Sequence, residues 1–146
     1  MARRAVGSRT VLDAGRAKAY RPLPARRRTA ALNAALRAYE RGDFFEAHEL
    51  LEPAWMGTDD PGERALHQGL IKLAAAYVHS VRGNPRGIEK NLAGARERLV
   101  GADGARAATA GIDLESLLGA IDDRLAAVRR HDAAAFDPPR IRRTSP

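Results

Sequence analysis

Residues 42–61 read GDFFEAHELLEPAWMGTDDP and carry signals for the end of one helix, the whole of a second and the start of a third. Gly42 is typical of a helix C-terminus, and Asp43 is a residue type that caps the N-terminus of a following helix. Asp60 before Pro61 gives an N-cap and a proline at the first helical position. Because the links between these helices are short, the sequence predicts that neighbouring helices pack antiparallel.

The same signals, with apolar residues three and four positions apart, predict further helices on both sides of this stretch. Gly83, Asn84 and Pro85 repeat the order of helix stop, cap and proline start, and Asp113 can cap a last amphipathic helix. The predicted helices span about 29–41, 44–56, 61–82, 85–100 and 113–128. We therefore expect an all-α fold, a compact array or bundle of about five helices packed as antiparallel hairpins.

Charge is distributed unevenly along the 146 residues. Residues 1–28 carry nine basic and one acidic side chain, residues 29–128 carry eleven basic and fifteen acidic ones, and residues 129–146 carry five basic and two acidic ones. The net charge of +7 is thus concentrated at the two ends. We expect a disordered basic N-terminal tail over 1–28, a helical domain over 29–131 and a disordered C-terminal tail over 132–146.

The composition excludes several classes of protein. The chain has no cysteine, so it has no disulfide, no thiolate metal site and no cysteine nucleophile, which fits a reducing cytoplasm. No apolar run approaches the ~20 residues of a membrane-spanning helix, and the N-terminus lacks the apolar core of a secretory signal. A phosphate-binding glycine loop, a GxSxG turn and an EF-hand loop are also absent from the sequence. We expect a cytoplasmic protein without membrane association.

The second predicted helix carries ionisable residues on its apolar side. On a helical wheel, His48 and Glu52 fall inside the stripe that also holds Phe44, Phe45 and Trp55. HELLE differs from the zinc-protease motif HExxH because Glu52 stands where that motif has its second histidine, which excludes a zinc protease. His48 and Glu52 are one turn apart and can interact. They form either a buried structural pair or an inward polar site that binds a metal or acts as an acid/base pair.

The third predicted helix adds Gln68 to this candidate polar cluster, since antiparallel packing brings it to the level of His48 and Glu52. His79 lies about 16 Å further along the same helix, at 1.5 Å per residue, so it cannot share a metal ion with Gln68. Four residues are candidates for pocket or packing roles, namely Trp55, Gly69, His79 and Asn84.

The third helix is apolar on several sides, which indicates a central position. Gly69 within it permits close approach of a neighbouring backbone, at a cost of ~1 kcal/mol relative to alanine. His67 falls between the apolar and polar stripes, and His131 ends the last helix, so we predict no role for either.

Two segments together resemble the domain of unknown function 309 family. GDFFEAHELLEPAW (42–55) is similar to the family's G-x-[FY]-[FY]-E-A-H-E-x-x-E-x-x-W, and HQGLIKLAAAYVHSVRGNPRG (67–87) is similar to its Q-G-[LI]-[IV]-x-x-A-A-x-x-x-H-x-x-x-G-N-x-x-G. The resemblance covers roughly residues 30–100. It implies a small helical bundle, here expected to be bacterial, and no established activity. Lys72 stands where family members often have glutamine, so a pocket at that position would differ in charge.

Three functions fit these residues. The first is a non-catalytic helical module that binds a protein partner or a second copy of itself, since no nucleophile or phosphate loop is recognisable. The second is a metal-dependent hydrolase-like enzyme or a metal-binding protein that uses His48 and Glu52, with a divalent metal as cofactor. The third is weak association with nucleic acid through the arginine-rich N-terminus. The sequence favours them in this order and identifies no catalytic residue.

Overall fold

A computed structural model describes residues 9–13, 16–81, 83–102, 104, 107 and 110–144, and the surroundings of side chains from Tyr20 onward except at 79–82. Within these residues, long helices follow a short antiparallel β-hairpin. The strands are β1 (Arg9–Asp13) and β2 (Arg16–Tyr20), and the helices are α1 (Ala25–Glu40), α2 (Phe44–Met56), α3 (Pro61–Val81), α4 (Pro85–Val100) and α5 (Leu114–Arg129), before a 3-10 helix (Ala133–Phe136).

The helix α3 is the centre of the array, because it packs against α2 on one side and α4 on another, while α1 packs on α2 and α5 on α4. This position explains why α3 is apolar on several sides. One continuous core joins the five helices, and its fully buried large side chains include Leu66, Leu73, Tyr77, Ile88, Leu92, Leu99, Leu117 and Ile121. The predicted all-α array is confirmed. In the described part, no helix has the length and apolar character needed to cross a membrane.

Three helices begin at the capping residues that the sequence predicted. A side-chain oxygen of Asp60, Asn84 and Asp113 accepts a hydrogen bond from the backbone N–H three residues further on, at 2.9, 3.1 and 3.0 Å respectively. Asp43 occupies the N-cap position of α2, but its side chain forms no capping hydrogen bond. The helix boundaries in this region therefore follow from local chemistry.

Gly69 is the point of closest approach between α3 and α4. A Cβ atom placed on Gly69 would lie 2.5 Å from Cγ and 2.6 Å from Cδ2 of Leu99, and 3.3 Å from its backbone nitrogen. Real Cβ contacts are longer than this, so the space that a side chain would need is already filled by Leu99. The predicted close approach at Gly69 is thus found, and its partner is α4.

The chain before α1 differs from the tail predicted over 1–28. Residues 9–20 form the hairpin, and the backbone N–H groups of Arg21 and Leu23 then donate to carbonyls at the C-terminal end of α2, at 2.8 and 3.0 Å. The helix α1 begins at Ala25, earlier than predicted. These backbone hydrogen bonds are long-range, so a search for local periodicity does not detect them. The first eight residues lie outside the described part.

The segment after α5, predicted as a tail over 132–146, follows a defined course across the helices. Tyr39 Oη donates to the carbonyl of Pro139 at 2.7 Å, and Tyr77 Oη donates to the carbonyl of Ala135 at 3.2 Å. Burial raises the pKa of both phenols, because the ionised form would lose its hydration, so both hydroxyl groups remain donors even in alkaline solution. Backbone hydrogen bonds also join the segment to the loop before α5. The segment is held because two core tyrosines need acceptors that the helices do not supply.

We expect Gly69→Ala to lower the free energy of unfolding by about 1–3 kcal/mol, because the added methyl group overpacks the contact with Leu99. The measurement is urea denaturation followed by circular dichroism. Gly119→Ala on α5 is the matched control, since a Cβ there meets no atom within 4 Å. The control should gain up to about 1 kcal/mol from helix propensity. Equal effects of the two substitutions would contradict the packing role of Gly69.

Candidate functional site

The polar residues of α2 lie on one partly exposed side of the helix. The exposed fraction is 32% for the side chain of His48, 54% for Glu49 and 41% for Glu52, and it is 64% for Phe45. Phe45 has the highest exposure of any large hydrophobic residue in the described part of the chain. We call Phe45, His48, Glu49 and Glu52 the α2 face.

The imidazole of His48 lies near two carboxylates. Its Nδ1 atom is 3.9 Å from Oε1 of Glu49 and 3.8 Å from Oε2 of Glu52. Both distances exceed that of a hydrogen bond, and this nitrogen is buried with no hydrogen-bond partner among the described residues. One ligand atom from each of the three side chains falls within 4.8 Å of the others. Imidazole nitrogen and carboxylate oxygen are ligands for divalent cations such as Zn²⁺.

The α2 face is turned further toward solvent than the helical wheel predicted. The side of α2 that enters the core consists of Ala47, Leu51 and Ala54, each at most 2% exposed. Because the core side is centred on these residues, Phe45 falls outside it, although a hydropathy wheel counts it as apolar. His48 therefore lies at the edge of the core and is partly exposed. The carboxylate of Glu49 joins His48 and Glu52 on this side, because Glu49 follows His48 directly in the sequence.

The other predicted site residues are not gathered around His48. Gln68 is half-buried on α3 and forms no hydrogen bond with a described residue. Gly69 packs against α4, and Asn84 caps α4. Trp55 is half-buried at the C-terminal end of α2 and contacts Arg64 of α3. The side chain of His79 lies outside the described residues.

A buried cation that the sequence analysis did not predict lies at the turn between α2 and α3. Arg64 is 1% exposed, and its Nη1 atom donates to the carbonyls of Trp55 at 2.9 Å and Thr58 at 2.8 Å. Its guanidinium also lies over the ring of Trp55, 5.2 Å from the centroid. Carbonyls at a helix C-terminus carry partial negative charge, and the face of an indole attracts cations. The end of α2 thereby compensates the charge of Arg64.

An ion pair lies next to the same turn between α2 and α3. Arg28 of α1 donates from Nε to Glu63 Oε2 at 2.6 Å and from Nη2 to Oε1 at 3.2 Å, and Thr58 Oγ1 donates to the same Oε1 at 3.2 Å. The two charged side chains are only 19% and 12% exposed. This contact links α1, the turn and the first turn of α3. A bidentate, largely buried pair of this kind fixes geometry as well as charge.

His67 lies one turn beyond Glu63 and is 2% exposed, with no hydrogen-bond partner for Nδ1 among the described residues. Burial lowers the pKa of His67 to about 4, and the carboxylate of Glu63 opposes that shift only in part. The imidazole is therefore neutral at pH 7. We call Arg28, Thr58, Glu63, Arg64 and His67 the turn cluster. Arg64 in this cluster donates to backbone carbonyls, which residue spacing does not reveal.

The fold and the α2 face define an all-α domain with an exposed aromatic and acidic helix surface. Residues 32–91 match the sequence model of a family described as Domain of unknown function (DUF309). The match agrees with the resemblance found in the sequence. The match contains the whole α2 face and ends within α4, before α5. No curated protein matches the chain.

We expect the free energy of unfolding to decrease as the pH is lowered from 7 to 4.5, in part because of His67. In the unfolded chain this histidine takes up a proton near its ordinary pKa of 6.5, whereas in the folded protein it does so only near 4. Between these values the unfolded state binds more protons, so stability present above pH 6.5 is lost as the pH falls toward 4. At pH 5 the contribution of His67 to this loss is about 2 kcal/mol.

The measurement is urea denaturation across this pH range for the wild type and for His67→Asn, which cannot titrate there. The variant should show a shallower loss of stability, since the carboxylates still titrate in both proteins. His131→Asn is the matched control, because His131 is exposed and asparagine tolerates its positive φ of 59°. If the free energy of unfolding of His67→Asn depends on pH in the same way as that of the wild type, His67 is not a buried neutral imidazole.

Proposed function

We propose that this protein is a non-catalytic helical module that binds a partner protein through the α2 face. The observation that carries the proposal is the 64% exposure of Phe45 on a helix that packs into the core by its opposite side. Burial of a fully exposed phenylalanine stabilises by about 1.5–3 kcal/mol. Because folding leaves most of the Phe45 side chain exposed, binding of a partner that covers Phe45 would gain most of this burial free energy.

The charges beside Phe45 indicate the chemistry of the partner. Within the described residues, neither Glu49 nor Glu52 forms an ion pair with an arginine or lysine, whereas Glu46 is paired with Arg41 at 2.7 Å. An aromatic side chain next to two uncompensated carboxylates is complementary to an apolar pocket edged by lysine or arginine. We therefore propose a partner with a basic surface.

The scaffold around the α2 face supports a preorganised binding surface. The turn cluster holds the C-terminal end of α2 against α3 and α1 without using a residue of the α2 face. The face can then bind without rearrangement of the helix that carries it, and less free energy is spent on ordering.

The test compares proteins captured from a lysate of the source organism by immobilised wild type and by Phe45→Ser, measured by quantitative mass spectrometry. We expect a set of proteins held by the wild type to decrease about tenfold or more on Phe45→Ser, the effect of losing about 1.5 kcal/mol of binding free energy. Captured proteins should lose binding further when Glu49 and Glu52 are both replaced by glutamine, since the partner is basic.

The control is Val100→Ser, which removes another exposed hydrophobic side chain, 58% exposed on α4, without touching the α2 face. It should retain the same proteins as the wild type. If the wild type retains no protein beyond background, or if Phe45→Ser and Val100→Ser give the same set, the α2 face is not a binding surface.

A second candidate function, binding of a divalent cation, is favoured by the geometry of His48, Glu49 and Glu52. Their ligand atoms lie within 4.8 Å of one another, and all three side chains are partly open to solvent. The three residues would supply one nitrogen and two oxygen ligands, and water would complete the coordination of Zn²⁺. We propose such a site as the alternative use of the same surface, with no reaction assigned to it.

We expect His48→Ala and Glu52→Gln each to lower Zn²⁺ affinity about tenfold or more, since each removes one of three protein ligands. The measurement is isothermal titration of chelator-treated protein without an affinity tag, beside the metal content of the purified protein by mass spectrometry. Glu115→Gln, at an exposed carboxylate on α5, is the control and should bind as the wild type does. Unchanged affinity in His48→Ala, or no binding to the wild type, would exclude the cation site.

A further inference from the structure

A cleft of about 590 Å³ lies between the C-terminal end of α1 and the segment that follows α5. One wall consists of residues 36–44 at the α1–α2 junction, and the other consists of Arg124 and the segment 137–143. Sites for small molecules commonly measure roughly 300–1,000 Å³. The cleft contains no residue of the α2 face, so it is independent of the function proposed above.

The floor of the cleft is apolar and consists of packed core side chains. Leu36 and Tyr39 are buried in the core, and the ring of Tyr39 meets that of Phe44 edge-on, with centroids 5.2 Å apart. Ile141 adds an apolar side chain from the opposite wall. The hydrogen bond from Tyr39 Oη to the carbonyl of Pro139 joins the two walls at 2.7 Å. An apolar or aromatic group placed here would contact preformed surface.

The rim of the cleft carries more positive than negative charge. Arg124 is engaged by Asp137, whose carbonyl accepts from Nε at 2.7 Å and whose carboxylate lies 3.4 Å from Nη2. Arg37 and Arg140 are exposed, and neither guanidinium forms a hydrogen bond or ion pair with any residue that the structure describes. Glu40 is the remaining acid of the rim. Two exposed guanidinium groups are therefore available to a ligand.

Arg143 adds a third positive charge that no carboxylate of the described residues neutralises. It donates only to uncharged oxygens in the described part of the protein: the carbonyls of Gly111 at 3.0 Å and Ala110 at 3.2 Å, and the side-chain amide of Asn33 at 3.2 Å. These hydrogen bonds fix the position of the guanidinium, and because the acceptors are uncharged they do not neutralise its positive charge. A positioned guanidinium next to an apolar floor is suited to bind a carboxylate or phosphate.

We propose that this cleft binds a small organic anion, a molecule with an apolar or aromatic body and a carboxylate or phosphate group. The body lies against Leu36, Tyr39 and Phe44, and the anionic group is held by Arg37 and Arg140, with Arg143 adding to the local positive potential. Neither a neutral apolar molecule nor a bare inorganic anion satisfies both parts of the cleft. The segment 137–143 forms one wall, so the site exists only where this segment is folded onto α1.

The test uses 8-anilinonaphthalene-1-sulfonate, a fluorescent aromatic anion, beside the uncharged N-phenyl-1-naphthylamine. We expect the anion to bind the folded protein with one-to-one stoichiometry and about tenfold or more tightly than the neutral dye, since hydrogen bonds to charged groups contribute about 1.5–3 kcal/mol. Chemical-shift changes in ¹⁵N spectra should be confined to residues 36–44, 124 and 137–143. Changes elsewhere, or equal binding of the two dyes, would overturn the proposal.

The decisive variant replaces both Arg37 and Arg140 by glutamine, and its matched control replaces Arg26 and Arg86, two exposed arginines outside the cleft. Both variants lose the same charge, and circular dichroism checks that both remain folded. We expect anion affinity to decrease about tenfold or more in the cleft variant and to stay near the wild-type value in the control. An equal decrease in both would mean that binding follows overall charge, which overturns the proposal.

Competition by octanoate and by octyl phosphate distinguishes the two anionic groups, with octanol as the uncharged control. Displacement of the dye by either anion at a concentration where octanol has no effect supports the site. The more effective competitor identifies whether a carboxylate or a phosphate is preferred. Displacement by octanol alone, or by none of the three, contradicts a site for organic anions.

Discussion

Arg64 places a permanent positive charge inside the protein where α2 has ended and α3 has just begun. A guanidinium does not lose its proton in a protein, so the charge has to be compensated where it lies. The carbonyls of Trp55 and Thr58 and the face of the Trp55 ring supply that compensation. Because these groups belong to the end of α2 and to the turn, the compensation holds only for one position of α2 relative to α3. The direction of the α2 face follows from that position.

Further contacts hold the elements that pack on either side of the α2–α3 pair. Gly69 lets α4 approach α3 closely, which brings Leu99 into the space of the missing side chain. On the other side, Tyr39 and Tyr77 require acceptors for their buried hydroxyl groups, and the segment after α5 supplies two carbonyls. Folding of that segment onto α1 creates the cleft with its arginines. The two proposed binding surfaces thus depend on different parts of the same core.

The sequence predicted local structure well, but it predicted less well which side of a helix faces the core and which faces solvent. Asp60, Asn84 and Asp113 predicted helix starts because capping joins residues three positions apart. His48 and Glu52 were predicted as neighbours for the same reason, and they lie within 4 Å of each other. The wheel placed them inside the apolar stripe, because it cannot show that α2 enters the core through small alanines rather than through Phe45. The sequence predicts no role for His67, because it falls between the apolar and polar stripes, yet the folded protein leaves it only 2% exposed.

The amino-acid sequence by itself determined the helices, most of their ends and the resemblance to a family, because these depend on periodicity, caps and residue identity over short spans. Only the tertiary structure decided which side of α2 faces solvent, how the charge of Arg64 is compensated and where the segments outside 29–131 lie. Those outcomes depend on backbone carbonyls and on contacts between residues far apart in the chain, such as Tyr39 with Pro139 and Arg28 with Glu63. Such contacts exist only between packed helices and segments, so no local pattern encodes them.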